Sequence, residues 1–158
     1  MNKILIATDG SEPSQEAVEF GLELAAEQKA KVTFVHVMPV DEYMYAGRLG
    51  GTVPIQHPEP IDESETALNS AAEAAKAVGI AYALERISAP TVDGIISLAE
   101  KQNADLIVVG SRGRGALGSA LLGSVSRDLV QRAKRPVLVV KTTRVPVEAL
   151  AGTEPPGR

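Results

Sequence analysis

The chain has 158 residues, of which 44% are apolar and 23% charged, with a formal net charge of -4. That length suits one domain that buries about two-thirds of its unfolded surface. The negative balance argues against general binding to nucleic acid or anionic membrane. No cysteine is present, which excludes disulfides and thiolate metal sites.

The opening "MNKILIATDG" is too short for a secretory leader and reads as a first strand ending in turn residues. No apolar run approaches the length of a membrane span, and the expected setting is the cytosol. Ser11 and Pro13 signal the start of a helix over "SQEAVEFGLELAAEQK", with Val18, Leu22 and Ala25 on the inner stripe. "KVTFVHVM" is a second strand, closed by Pro39. Residues Pro39 to Pro60 hold four prolines and three glycines without a period, and read as a long surface loop.

A second helix is expected from about Ile61 to Val78, with Leu68, Ala71, Ala75 and Val78 inward and Gly79 as its stop. "IAYALERI" is the third strand. "TVDGIISLAEKQN" is the third helix, with Val92, Ile95, Ile96 and Ala99 inward. "DLIVVG" is the fourth strand. "SVSRDLVQRAKR" is the fourth helix, its last turn gathering Arg132, Lys134 and Arg135 at the carbonyl end of the dipole. "PVLVVK" is the fifth strand. Residues 1–141 thus form one domain, and 142–158 read as a loosely ordered tail.

Strands alternating with helices at this spacing predict an α/β fold, a doubly wound parallel sheet with helices on both faces. In such a sheet, ligands sit beyond the carboxyl ends of the strands, where strand order reverses. The loops after the first and fourth strands begin with Asp9-Gly10-Ser11 and with "GSRGRGALGSALLGSVS", Gly110 to Ser126. The second stretch carries five glycines and two arginines. Glycines let a ligand approach the backbone, and a helix starting near Ser124 presents N–H donors and a positive dipole end. Ser124 and Ser126 offer hydroxyls, and Arg112 or Arg114 offers charge. The segment can form a phosphate cradle.

A P-loop is excluded: Gly113 and Gly118 have its spacing, but Ser119 and Ala120 stand where Lys and Ser/Thr belong. Gly113, Gly115 and Gly118 fit a dinucleotide fingerprint, which stays a minor alternative because the next strand ends in Lys141 rather than an acid. No G-x-S-x-G elbow is present. His36, between Val35 and Val37, reads as a structural side chain, and His57 has no metal partner by spacing. Asp9 fits a turn that accepts backbone N–H bonds as well as a ligand contact. Ser124 fits a helix cap as well as an anion site, and Arg114 a solvated loop charge.

The spacing Gly110-x-x-Gly113, nine residues, then Gly123-Ser124 resembles the ATP-binding signature of the universal stress protein family. "ILIATDGS", "VTFVHV", "ADLIVVGSRGRG" and "GSVSRDLVQRAKRPVLVV" are similar to that family in the same order. The resemblance implies a five-stranded sheet of order 3-2-1-4-5, of the adenine-nucleotide hydrolase-like type. It implies that Gly110, Gly113, Gly123 and Ser124 hold ribose and phosphates and that Asp9 approaches the adenine–ribose end. Val37 would contact adenine, partly through its backbone, with Arg112 and Ser126 beside the phosphates. Ala7 and Thr8 before Asp9, Met38 after Val37, and Ser111 and Val125 in the loop complete the expected lining. The ligand would be ATP, with Mg²⁺ arriving on the nucleotide. The implied role is a stress-response regulator, and the implied assembly is a homodimer through Val137–Val140. A slow ATP hydrolase or autophosphorylating protein, and a ligand-independent dimeric module, are the alternatives.

Overall fold

A computed structural model describes residues 1–39, 61–113 and 122–141 of the chain. The loop expected at Pro39–Pro60 beyond its first residue, the tail from 142, and Arg114, Gly115, Gly118, Ser119 and Ala120 lie outside the described residues. Strands β1 (Lys3–Ala7), β2 (Lys31–Met38), β3 (Tyr82–Ser88), β4 (Leu106–Gly110) and β5 (Val137–Val140) alternate with helices α1 (Glu12–Gln28), α2 (Ile61–Ala77), α3 (Thr91–Lys101) and α4 (Ser124–Arg132). All strand pairs are parallel, in the order β3-β2-β1-β4-β5.

The central strands are apolar throughout because both of their faces are covered. Ile4, Ile6, Val32, Phe34 and Val108 pack with Val18, Leu22 and Ala25 of α1 and Leu68, Ala71 and Ala75 of α2. The alternate residues Leu5, Val35, Val37, Ile107 and Val109 pack with Ile95, Leu98 and Ala99 of α3 and Leu129 of α4. Helix pairs thus cover opposite faces, and the order reverses between β1 and β4. A crevice opens above that pair, lined by residues of both strand ends and of the starts of α1, α3 and α4.

Three expectations shift by a turn or less. Val78 is 56% exposed rather than inward, because α2 ends at Ala77 and Gly79 turns the chain with φ +70°. Ile96 is only partly buried, while Leu98 takes the fully inward place on α3. Helix α4 stops at Arg132, so Lys134 and Arg135 lie beyond its last turn. The cause is Pro136, which disfavours helix in the residue before it and leads the chain into β5. Arg132 pairs with Asp93 at the start of α3, and Lys134 approaches Glu100 at 3.6 Å, so these cations tie α4 and its exit to α3.

Candidate functional site

The crevice above β1 and β4 has a volume of about 340 Å³. Its floor is apolar, from Val35, Val37 and Val109 of the strands and Ile95 of α3. Its polar side is built from the two crossover loops, with Asp9 on one and Arg112 and the start of α4 on the other.

The loop after β1 is held by its own polar side chains. Asp9 Oδ1 accepts from the Ser11 N–H at 3.0 Å and from the Ser11 hydroxyl at 2.5 Å, so the Asx-turn role of Asp9 is realised. This fixes the carboxylate, and Oδ2 faces the Gly113 side: a Cβ added at Gly113 would lie 2.7 Å from it. Absence of a side chain at Gly113 is what lets the two loops approach across the crevice.

The loop after β4 is tied at both ends. The Ser111 N–H donates to Val140 O at 2.7 Å, and Ser111 O accepts from the Gly123 N–H at 2.7 Å. Ser126 Oγ lies 3.0 Å from both Ser111 O and Gly123 O, so its one proton is shared between them. Ser126 is therefore a staple joining the exit of β4 to the entry of α4, with its hydroxyl proton directed at backbone and not at the crevice.

Helix α4 begins at Ser124 with Gly123 in extended geometry before it, and no side chain caps the turn. The Arg127 N–H donates to Gly123 O at 3.1 Å, the first turn's bond to the cap. The N–H groups of Ser124, Val125 and Ser126 have no intrahelical acceptor and carry the positive end of the dipole. The first turn holds no acidic residue to satisfy them. At Gly123 a Cβ would meet Arg112 Cα and Ser111 O at 3.5 Å and Gly113 N at 3.9 Å, all ordinary contacts. Packing therefore does not demand glycine there, whereas an anion approaching the helix start would.

Gly110 differs. A Cβ there would fall 2.6 Å from Pro13 O and 3.0 Å from Ser14 N, so this glycine lets β4 end against the start of α1. Its role in the fold is packing, which the spacing of the motif alone does not separate from ligand contact.

Ala7, Thr8, Asp9, Val37, Gly110, Arg112, Gly113, Gly123, Ser124, Val125 and Ser126 all line the crevice. Met38 and Ser111 do not. The Met38 carbonyl accepts from the Ala89 N–H at 3.2 Å, which ties the end of β2 to the exit of β3. Ser111 is buried and bonded through its backbone to Val140 and Gly123. Sequence reasoning missed Ser14, Val35, Pro39, Thr91, Ile95 and Val109 in the lining and gave His36 no place in it. Ile95 was recognisable as an inward helix residue, but nothing in one dimension shows that α3 starts at this crevice.

The donors and the space fit a phosphorylated ligand with an apolar, flat end. A metal finds no comparable set: among the described residues no group of three His, Cys, Asp or Glu is placed to hold an ion. No helix among the described residues is long and apolar enough to cross a membrane.

Comparison with known proteins agrees in sequence and in structure. The sequence model of the Universal stress protein family matches residues 1–141. The chain is 34% identical over 139 residues to a universal stress protein of Methanocaldococcus jannaschii, covering 88% of this chain and 81% of the relative. The fold is similar to that of a universal stress protein solved in complex with cAMP, at 28% identity and TM-score 0.66, covering 90% of this chain and 98% of that one. It is similar to the universal stress protein from Archaeoglobus fulgidus in complex with dAMP, at 25% identity and TM-score 0.68, covering 89% and 98%. A family match that spans all of the described residues, on a sheet of the expected order, shows that the chain belongs to the universal stress protein family.

Proposed function

We propose that the chain is an adenine-nucleotide-binding regulatory protein of the stress response, with residues 1–141 as the binding domain and 142–158 as an appended tail. The ligand is ATP, with Mg²⁺ carried by its phosphates. The observation that carries this reading is the uncapped, acid-free start of α4 behind Gly123, at the point where strand order reverses. Phosphate oxygens accept there from the N–H groups of Ser124, Val125 and Ser126, and Arg112 adds charge. The base rests on the apolar floor near Val37, and Asp9 accepts from ribose hydroxyls. Solved relatives with cAMP and dAMP support the choice of an adenine nucleotide.

Regulation through binding, rather than turnover, follows from the donor set. The groups named hold charge in place, and Asp9 is committed through Oδ1 to its own turn. Assembly as a homodimer through β5 is part of the same proposal. Val137 to Val140 form an edge strand, all four half-buried, and exposed Phe20 flanks a groove beside Leu138 and Val140.

Thermal unfolding tests the binding. Mg·ATP at about one hundred times its Kd stabilises by about 2.7 kcal/mol. For a domain of this size that raises the melting temperature by roughly 5–10 °C. No shift at millimolar Mg·ATP overturns the reading.

A further inference from the structure

His36 is buried on β2, 3% exposed, and lines the crevice at its β1 end. Its ring Nδ1 lies 3.0 Å from the carbonyl oxygen of Thr8. A carbonyl only accepts, so Nδ1 carries the proton and donates it. Thr8 is the residue before Asp9 and lies one position beyond the end of β1. Its N–H is already held by Val35 O at 3.0 Å.

The Thr8 side chain continues the same support. Ser14 Oγ donates to Ser11 O at 2.9 Å, so in its 3.2 Å contact with Thr8 the threonine hydroxyl is the donor. Thr8 Oγ1 accepts in turn from the Gly10 N–H at 3.2 Å. The run Gly10 N–H, Thr8 hydroxyl, Ser14 hydroxyl, Ser11 carbonyl has one direction and closes the turn around Asp9. Thr8 and Ser14 are 5% and 4% exposed, so these bonds work out of competition with water. The histidine ring is what fixes the backbone carbonyl at the root of that turn.

We propose that His36 is a positioning residue for the nucleotide site: through Nδ1 it holds Thr8 so that the Asp9 carboxylate meets the ligand across the crevice from Gly113. The inference rests on the nucleotide reading given above and adds a residue to it. The proposed action of His36 on the ligand runs through Thr8 and Asp9, and its chemistry is hydrogen bonding, with no proton transferred.

The ring has two nitrogens, and two amide substitutions separate them. Asn places its NH₂ near the position of Nδ1, whereas Gln places its NH₂ near that of Nε2. Titration calorimetry with Mg·ATP is run on the intact chain and on H36N, H36Q and H36F. H36F and H36Q bind roughly fivefold or more weakly, the factor expected for losing one well-placed bond between neutral groups. H36N stays within about threefold of the parent, a rescue that mere filling of the β2 face does not produce. A long-range ¹⁵N–¹H spectrum of the nucleotide-free protein at neutral pH gives a readout that needs no variant to fold. It shows the His36 proton on Nδ1. An Nε2-protonated ring, or full affinity in H36F and H36Q, overturns this inference while leaving ATP binding intact. A parent chain that does not bind Mg·ATP overturns the nucleotide reading and this inference with it.

Discussion

Gly110 and Gly123 belong to one motif by spacing, yet their surroundings assign them opposite burdens. A methyl at Gly110 collides with the Pro13 carbonyl, which is backbone and cannot swing away. Gly110→Ala therefore costs about 2 kcal/mol or more of stability by overpacking, read as a lower urea midpoint without ligand. A methyl at Gly123 meets only ordinary contacts, and its φ of -70° suits alanine. Gly123→Ala costs no more than about 1 kcal/mol, the difference between glycine and alanine before a helix. Its Mg·ATP affinity falls roughly tenfold or more, because the methyl fills the approach to the α4 donors. Equal loss of stability in both variants, with unchanged binding in G123A, contradicts this division. Ser126→Ala removes the staple to Ser111 O and Gly123 O. It costs about 1 kcal/mol, since Ser111 O keeps its bond from Gly123. Much at this scale was hidden in the sequence. That His36 reaches Thr8 depends on the β1–β2 register, which pairs Ala7 with Val35 and so brings the next residues together. No spacing along the chain encodes that.

The elements themselves were legible where burial is two-sided or periodic. Ile4, Leu5 and Ile6 are each no more than 1% exposed, which is why their continuous apolar run identified a central strand. Val18, Leu22 and Ala25 kept the helical period of α1. Ends were less legible, because they are set by partners. Val78 stands past the last turn of α2, and Pro136 halts α4 before Lys134. Another end is pinned by Asp105, the residue just before β4. Its carboxylate accepts from the N–H of Asn2 at 2.6 Å and of Lys3 at 3.0 Å, tying the entry of β1 to that of β4. These two backbone donors hold the Asp105 carboxyl below its ordinary value. A lowered folded pKa gives stability that is present above the ordinary carboxylate range and lost as pH falls through the folded value. Asp105→Asn should flatten that part of the acid limb in a plot of unfolding free energy against pH, with little change in slope near neutrality. An acid limb unchanged in D105N contradicts the assignment.

For the molecule as a whole, alternation of strands and helices was enough to predict the doubly wound sheet, and the order β3-β2-β1-β4-β5 agrees with the resemblance. That order places β5 at an edge with its apolar residues half-covered, and it is the basis of the proposed dimer. Light scattering at micromolar concentration should give twice the chain mass with or without nucleotide. A monomer there contradicts the proposed assembly without touching the site. The same order sets the crevice between β1 and β4, with an apolar floor and the uncapped start of α4 at its rim. The most direct measurement is a crystal structure of the chain grown with Mg·ATP. Phosphate oxygens should lie about 2.7–3.1 Å from the N–H groups of Ser124, Val125 and Ser126, with the base over Val37. An empty crevice, or nucleotide bound elsewhere on the molecule, contradicts that placement.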